Sequence, residues 1–139
     1  MTIVMLTTVH PRYDTRVFSK QATDLAATFG QDFELVVADG VGPEKKNGVR
    51  ITDLGLFSGN RIIRMFKGWM ASIKFLLERR AKVFHFHDPE LLPVAIITRI
   101  FGVKSIYDVH DDLIGSILHK HWVPRPLRKP LSKAFRIFE

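Results

Sequence analysis

Short apolar runs alternate with longer segments of helical periodicity along this chain, and that alternation limits the folds open to it more than any other feature. Ile3-Val4-Met5-Leu6 is a continuous apolar run stopping at Thr7-Thr8, the pattern of a strand buried on both faces. After a loop from Val9 to Tyr13, Asp14 stands where a helix N-cap belongs. A helix from Thr15 to Phe29 would turn Val17, Phe18, Ala22, Leu25 and Phe29 inward, with Gly30 as its stop. Phe33 to Ala38 reads as a second strand, Val41 to Gly48 as loop, and Val49 to Leu54 as a short third strand. Lys82 to Phe86 and Val103 to Tyr107 complete the strands. Between these two, a helix runs from the Asp88 cap, with Pro89 at its first position, to Phe101 before Gly102.

Strands that alternate with helices predict an α/β fold: a doubly wound, Rossmann-like parallel sheet with helices on both faces. At 139 residues the chain has room for one domain with a real core, so 1–139 is read as a single domain. In such a sheet, ligands bind beyond the carboxyl ends of the strands. The unusual polar residues collect there: His10, Arg12, Asp14 and Arg16 after the first strand, His87-Asp88-Pro89-Glu90 after the fourth, and His110-Asp111-Asp112 after the fifth.

Residues 61–79 carry the strongest amphipathic pattern. Ile62, Ile63, Met65, Phe66, Trp69, Met70, Ile73, Leu76 and Leu77 share one arc of about 160°, with most of the cations opposite. The net charge of +7 is local rather than diffuse. Residues 61–80 hold Arg61, Arg64, Lys67, Lys74, Arg79 and Arg80 against Glu78, and a second cluster runs from Lys120 to Arg136. Such patches call for an anionic partner. Two readings of helix 61–79 stand side by side: packing on the sheet with solvated cations, or attachment to an anionic membrane through Arg61, Arg64, Phe66, Lys67, Trp69 and Lys74. Aromatic stacking motifs of RNA-binding sheets are missing, so no nucleic-acid partner is expected.

Other classes are disfavoured. Neither G-x-G-x-x-G nor G-x-x-x-x-G-K-[ST] occurs, which counts against a Rossmann dehydrogenase and a P-loop enzyme. With no cysteine there is no disulfide framework and no thiolate metal site. His85 and His87 share a strand face and His110 follows the next strand, but the spacing matches no strong zinc signature; hydrogen bonding to a polar ligand is the favoured role and no metal is expected. No run approaches the ~20 apolar residues of a membrane span, and no secretory signal is visible. The tail from Val123 holds Pro124, Pro126 and Pro130 and reaches Glu139 without a cap, which reads as a chain cut short.

Three strings carry a family resemblance: Thr7-Thr8-Val9-His10-Pro11-Arg12-Tyr13-Asp14-Thr15-Arg16-Val17-Phe18, His85-Phe86-His87-Asp88-Pro89-Glu90-Leu91-Leu92-Pro93, and Ile106-Tyr107-Asp108-Val109-His110-Asp111-Asp112. Together they resemble the N-terminal domain of bacterial family 4 glycosyltransferases, in particular those that build O-antigen and other surface polysaccharides. The resemblance implies a two-domain GT-B enzyme, metal-independent and retaining, working at the cytoplasmic face of the inner membrane. On that resemblance a UDP-linked nucleotide sugar would sit mainly on a C-terminal domain and a polyprenyl-diphosphate-linked acceptor mainly on this one. His110 matches the family histidine that lies against the transferred sugar, and helix 61–79 matches the membrane-docking helix of lipid-acceptor members. One departure is the loop after the first strand: where many members have a Gly-rich loop, this chain has Thr8-Val9-His10-Pro11-Arg12, and whether Arg12 or Arg16 substitutes electrostatically is left open. The C-terminal paired-glutamate motif lies outside these residues, so the chain alone is expected to fold without transferase activity. A GT-B-like UDP-sugar epimerase and a non-catalytic basic module for membrane or nucleic acid are the alternatives.

Overall fold

The structure, a computed structural model, describes residues 1–109 and residue 126. Met1–Asp108 forms one compact unit. Its centre is a six-stranded sheet built from β1 (Ile3–Leu6), β2 (Phe33–Val37), β3 (Glu44–Lys46), β4 (Val49–Asp53), β5 (Val83–Phe86) and β6 (Lys104–Tyr107), in the order β3-β4-β2-β1-β5-β6. All neighbours pair in parallel except β3 and β4. The fold is therefore α/β with a mostly parallel sheet, as the alternation of patterns required.

β3 falls in a stretch read from sequence as loop. It exists because Asn47 and Gly48 turn the chain back in two residues, with φ of 51° and 78°. Positive φ at both central positions is the geometry that matches strand twist in a tight hairpin, and Asn-Gly adopts it most readily.

Three helices accompany the sheet: α1 (Thr23–Phe29), α2 (Arg61–Glu78) and α3 (Leu92–Ile100). A π-helical segment, Thr15–Ala22, runs directly into α1. Its wider winding shows where Ser19 N reaches Asp14 O at 3.3 Å, five residues back. Asp14 does cap this segment, its Oδ1 accepting from the Arg16 and Val17 amides at 2.9 Å each. Val17, Phe18 and Ala22 are buried as expected, and Leu25 is partly so. Phe29 is exposed, and Ala26 takes the inward position in its place.

The central strands are buried at every residue, and their side chains divide by parity. Ile3 and Met5 of β1 join a cluster with Val17, Phe18, Ala22 and Ala26. Val4 and Leu6 join another with Leu76, Val94 and Ala95. Period-two alternation sends these two sets to opposite sides of the strand. β1 thus lies at the middle of the core.

α2 begins at Asn60, whose Oδ1 accepts from Ile63 N at 2.9 Å. Its buried line is Gly68, Ser72 and Leu76, one residue every turn. The expected arc is split: Met65, Trp69, Ile73 and Leu77 are half-buried, while Ile62, Ile63, Phe66 and Met70 face solvent. Gly68 faces the Phe57 ring, which a Cβ at that position would meet at 3.7 Å, an ordinary contact. α3 starts later than its sequence pattern suggested, after a 3-10 turn at Pro89–Leu91.

Candidate functional site

β1 is flanked by β2 on one side and β5 on the other, so the chain's successive crossovers diverge between β1 and β5. The crevice beyond the carboxyl ends of those two strands is where this topology leaves room for a ligand. Thr7 continues β1 by donating its amide to Val36 O at 3.0 Å, and His87-Asp88 follows β5.

Asp88 holds the two strand ends together. Its Oδ2 accepts from Thr7 Oγ1 at 2.9 Å and from Thr8 N at 2.7 Å, and its Oδ1 lies 2.9 Å from His10 Nδ1. Its side chain is only 1% exposed. The expected N-cap role is not what the side chain does: Asp88 occupies the position before the 3-10 turn, yet makes no side-chain capping bond there. A buried carboxylate gains more from donors that converge on it than from one helix-end amide. The Thr7 hydroxyl also receives His10 N at 3.1 Å, which fixes the turn after β1. A carboxylate beside Nδ1 favours the imidazole tautomer protonated there, leaving Nε2 as a hydrogen-bond acceptor. His10 is about one-third exposed, enough to be reached.

A second group lies alongside. His85 and His87 share a face of β5, as their spacing dictates, with ring centroids 4.9 Å apart. Asp108 N donates to Phe86 O at 3.0 Å, extending the β5–β6 ladder. That extension brings Asp108 Oδ2 to 3.6 Å from His87 Nδ1 and 3.8 Å from His85 Nε2. Gln21 Nε2 donates to the same oxygen at 2.7 Å. His85, His87 and Asp108 each offer one donor atom within 4.8 Å of the others, so these are the described residues that could hold a divalent cation. The His87 and His10 rings lie 6.1 Å apart, edge to face, linking the two groups.

Arg12 is buried and committed to carboxylates. Its Nε and Nη2 donate to the two oxygens of Asp39 at 2.8 and 2.7 Å, and Nη1 reaches Glu44 Oε2 at 3.5 Å. Tyr13 donates its hydroxyl to the same Glu44. The Arg12 bond holds the Asp39 carboxyl below the usual carboxylate range and raises the guanidinium further above its own. Asp14 is also lowered, chiefly by the Val17 amide. Arg16 is exposed.

Glu90 belongs to the site by a different route. Its Oε1 accepts from Thr8 Oγ1 at 2.5 Å, while its backbone carbonyl accepts the Trp69 indole N–H at 2.7 Å. Between α2 and these turns opens a pocket of about 440 Å³, lined in part by Thr8, Arg61, Arg64, Trp69 and Glu90. Of the other basic residues on α2, Lys67 Nζ reaches Ser58 O at 3.0 Å and Lys74 pairs with Glu78 at 3.8 Å.

The structure therefore gathers His10, His87, Asp88 and Glu90 at one crevice, commits Arg12 to Asp39 and Asp14 to the Arg16 and Val17 amides, and leaves Arg16 exposed. His110 and Asp111 lie outside the described residues. Thr7, Thr8, Gln21 and Asp108 were not singled out from sequence as site residues; the only signal was their position at strand ends or on a helix face. No helix among the described residues is long and apolar enough to cross a membrane. No protein-family model, curated protein or solved structure matches the chain.

Proposed function

We propose that this chain is the acceptor-side domain of a retaining GT-B glycosyltransferase similar to family 4, acting on a polyprenyl-diphosphate-linked sugar at the cytoplasmic face of the inner membrane. The observation that carries the reading is the pairing of two features. A crevice of hydrogen-bonding side chains at the β1–β5 divergence adjoins a helix that combines arginines with exposed Ile62, Phe66 and Met70. The first suits a polyhydroxylated substrate, and the second suits an acidic lipid surface.

The doubly wound arrangement belongs to the same proposal and is supported by the two core clusters that divide β1 by parity. The donor, a nucleotide sugar of the UDP type, would be held mainly by a C-terminal domain. His110, by resemblance, hydrogen-bonds the transferred sugar, and His10 contributes a polar contact on the acceptor side. His87, expected from sequence to bind substrate, is buried and instead packs its ring against those of His10 and His85. Catalysis then comes from positioning and from electrostatic stabilisation of the departing diphosphate, and needs no metal.

Co-sedimentation tests the reading directly. Vesicles of zwitterionic lipid, of acidic lipid, and of acidic lipid doped with a polyprenyl-diphosphate sugar are compared at low and high salt. Binding should rise along that series, and the acidic-lipid step should weaken with salt. Equal binding to all three would count against a lipid-linked acceptor.

A further inference from the structure

The pocket between α2 and the switch-point turns is chemically two-sided. On the α2 side stand Arg61 and Arg64, three residues apart and so neighbours on one helix face. On the other stand Thr8 and Glu90, already joined at 2.5 Å, with Trp69 pinned by its indole N–H to the Glu90 carbonyl. Two guanidiniums favour a phosphate-bearing ligand, which each can meet through paired N–H donors. A carboxylate in the same pocket disfavours a ligand that is anionic throughout. Beside it, a hydroxyl and an indole suit a neutral ring with many hydroxyl groups, the carboxylate accepting from them and the indole covering an apolar ring face. The volume of about 440 Å³ falls within the range of small-molecule sites.

We propose that this pocket holds the glycosyl diphosphate end of the lipid-linked acceptor, with Arg61 and Arg64 on the diphosphate and Trp69, Glu90 and Thr8 on the sugar. The assignment rests on reading the chain as an acceptor-side domain. It also divides the cations of α2 by task. Arg61 and Arg64 line the pocket and read a particular ligand, whereas Lys67 and Lys74 are not part of its lining and give only general attraction to a surface.

Titration calorimetry on the full chain tests this with three soluble probes: inorganic pyrophosphate, UDP, and a short-chain prenyl-diphosphate sugar. The prenyl-diphosphate sugar should bind at least tenfold more tightly than pyrophosphate. Arg61→Gln and Arg64→Gln should each weaken both about tenfold, the loss of one charge-assisted contact. Glu90→Gln should weaken the sugar-bearing probe alone. Both arginines are exposed, and thermal melts of the variants should match the parent, so lost binding does not reflect lost folding.

Three results would overturn the assignment. The arginine variants could leave all probes unaffected and weaken only acidic-vesicle binding, which would make the pair a lipid-surface contact. UDP could bind as well as the prenyl probe with the same arginine dependence, which would make the pocket a nucleotide site. Glu90→Gln could leave the sugar-bearing probe unaffected, which would remove the sugar subsite. Probe binding by a chain that binds zwitterionic, acidic and prenyl-doped vesicles equally would instead count against the lipid-acceptor reading and leave the pocket standing.

Discussion

Asp88 Oδ1 lies 2.9 Å from His10 Nδ1, while the other oxygen of the same carboxylate ties down Thr7 and Thr8. One buried side chain thus closes the gap between the ends of β1 and β5 and sets the orientation of the imidazole. Replacing Asp88 with Ala would leave the Thr7 hydroxyl and the Thr8 amide without their acceptor, at a cost of about 2 kcal/mol in urea denaturation. Asp88→Asn should cost less, because an amide oxygen can still accept from Thr8. It should nevertheless shift His10 away from the Nδ1-protonated tautomer, read by ¹⁵N-resolved NMR of the ring. An unchanged tautomer in Asp88→Asn would show that Asp88 does not orient His10.

The Arg12–Asp39 pair predicts an acid-sensitive fold. Arg12 holds the Asp39 carboxyl below its ordinary value. A depressed folded pKa contributes stability that is fully present above the unfolded value, about 4, and is lost as pH falls through the lower folded one. Urea midpoints measured from pH 7 to pH 2 should therefore fall below about pH 4. Asp39→Asn should lower stability at pH 7 by about 2 kcal/mol, since it removes a charged partner from a buried guanidinium. Its acid limb should be shallower than the parent's, though not flat, because the lowered carboxyls of Asp14 and Asp53 titrate in the same window.

Exposed apolar residues on α2 give a prediction that separates binding from folding. Phe66 is 57% exposed and Ile62 is 64% exposed, so neither contributes much to the core. Ile62→Ser with Phe66→Ser should leave thermal stability within about 0.5 kcal/mol of the parent. Partition onto acidic vesicles should drop about tenfold or more, the loss of roughly one or two buried apolar side chains. Unchanged partition would count against the proposed docking of α2 on a membrane.

The end of α2 carries a removable cost. Arg80 sits in the left-handed region at φ 51°, where Ala81 N bonds to Leu76 O at 2.9 Å and Arg80 N to Leu77 O at 3.1 Å. That is the helix-terminating motif normally occupied by glycine. Arg80→Gly should raise stability by about 1 kcal/mol in thermal melts, because the left-handed strain on a side-chain-bearing residue disappears. A loss of stability would mean that Arg80 makes contacts worth more than the strain.

Much of this was legible in the linear order of residues. Ile3–Leu6 and Phe33–Val37 are apolar enough to require burial, Asp14 is placed to cap, and Gly102 ends α3 with φ 84° as its type suggests. Local chemistry decides such features, since each depends on neighbours a few residues away. The π-helical winding of Thr15–Ala22 was not legible, because an apolar stripe at helical spacing does not distinguish four-residue from five-residue closure. Nor was the stop at Arg80, where the motif is enforced without its usual residue.

By itself the sequence determined the succession of the parallel strands with their helices, though not the β3 hairpin, and the gathering of histidines and carboxylates at strand ends. Tertiary structure alone decided which of them act together. Asp88 became the tie between strand ends rather than a cap, since burial rewards the carboxylate that finds several donors at once. Arg12 became a structural clamp because Asp39, distant in sequence, arrives beside it through the β1–β2 pairing. The face that α2 buries runs along Gly68, Ser72 and Leu76, leaving a larger apolar stripe in solvent. Periodicity fixes that a helix has an apolar face; only the shape of what it packs against selects how much of that face is covered.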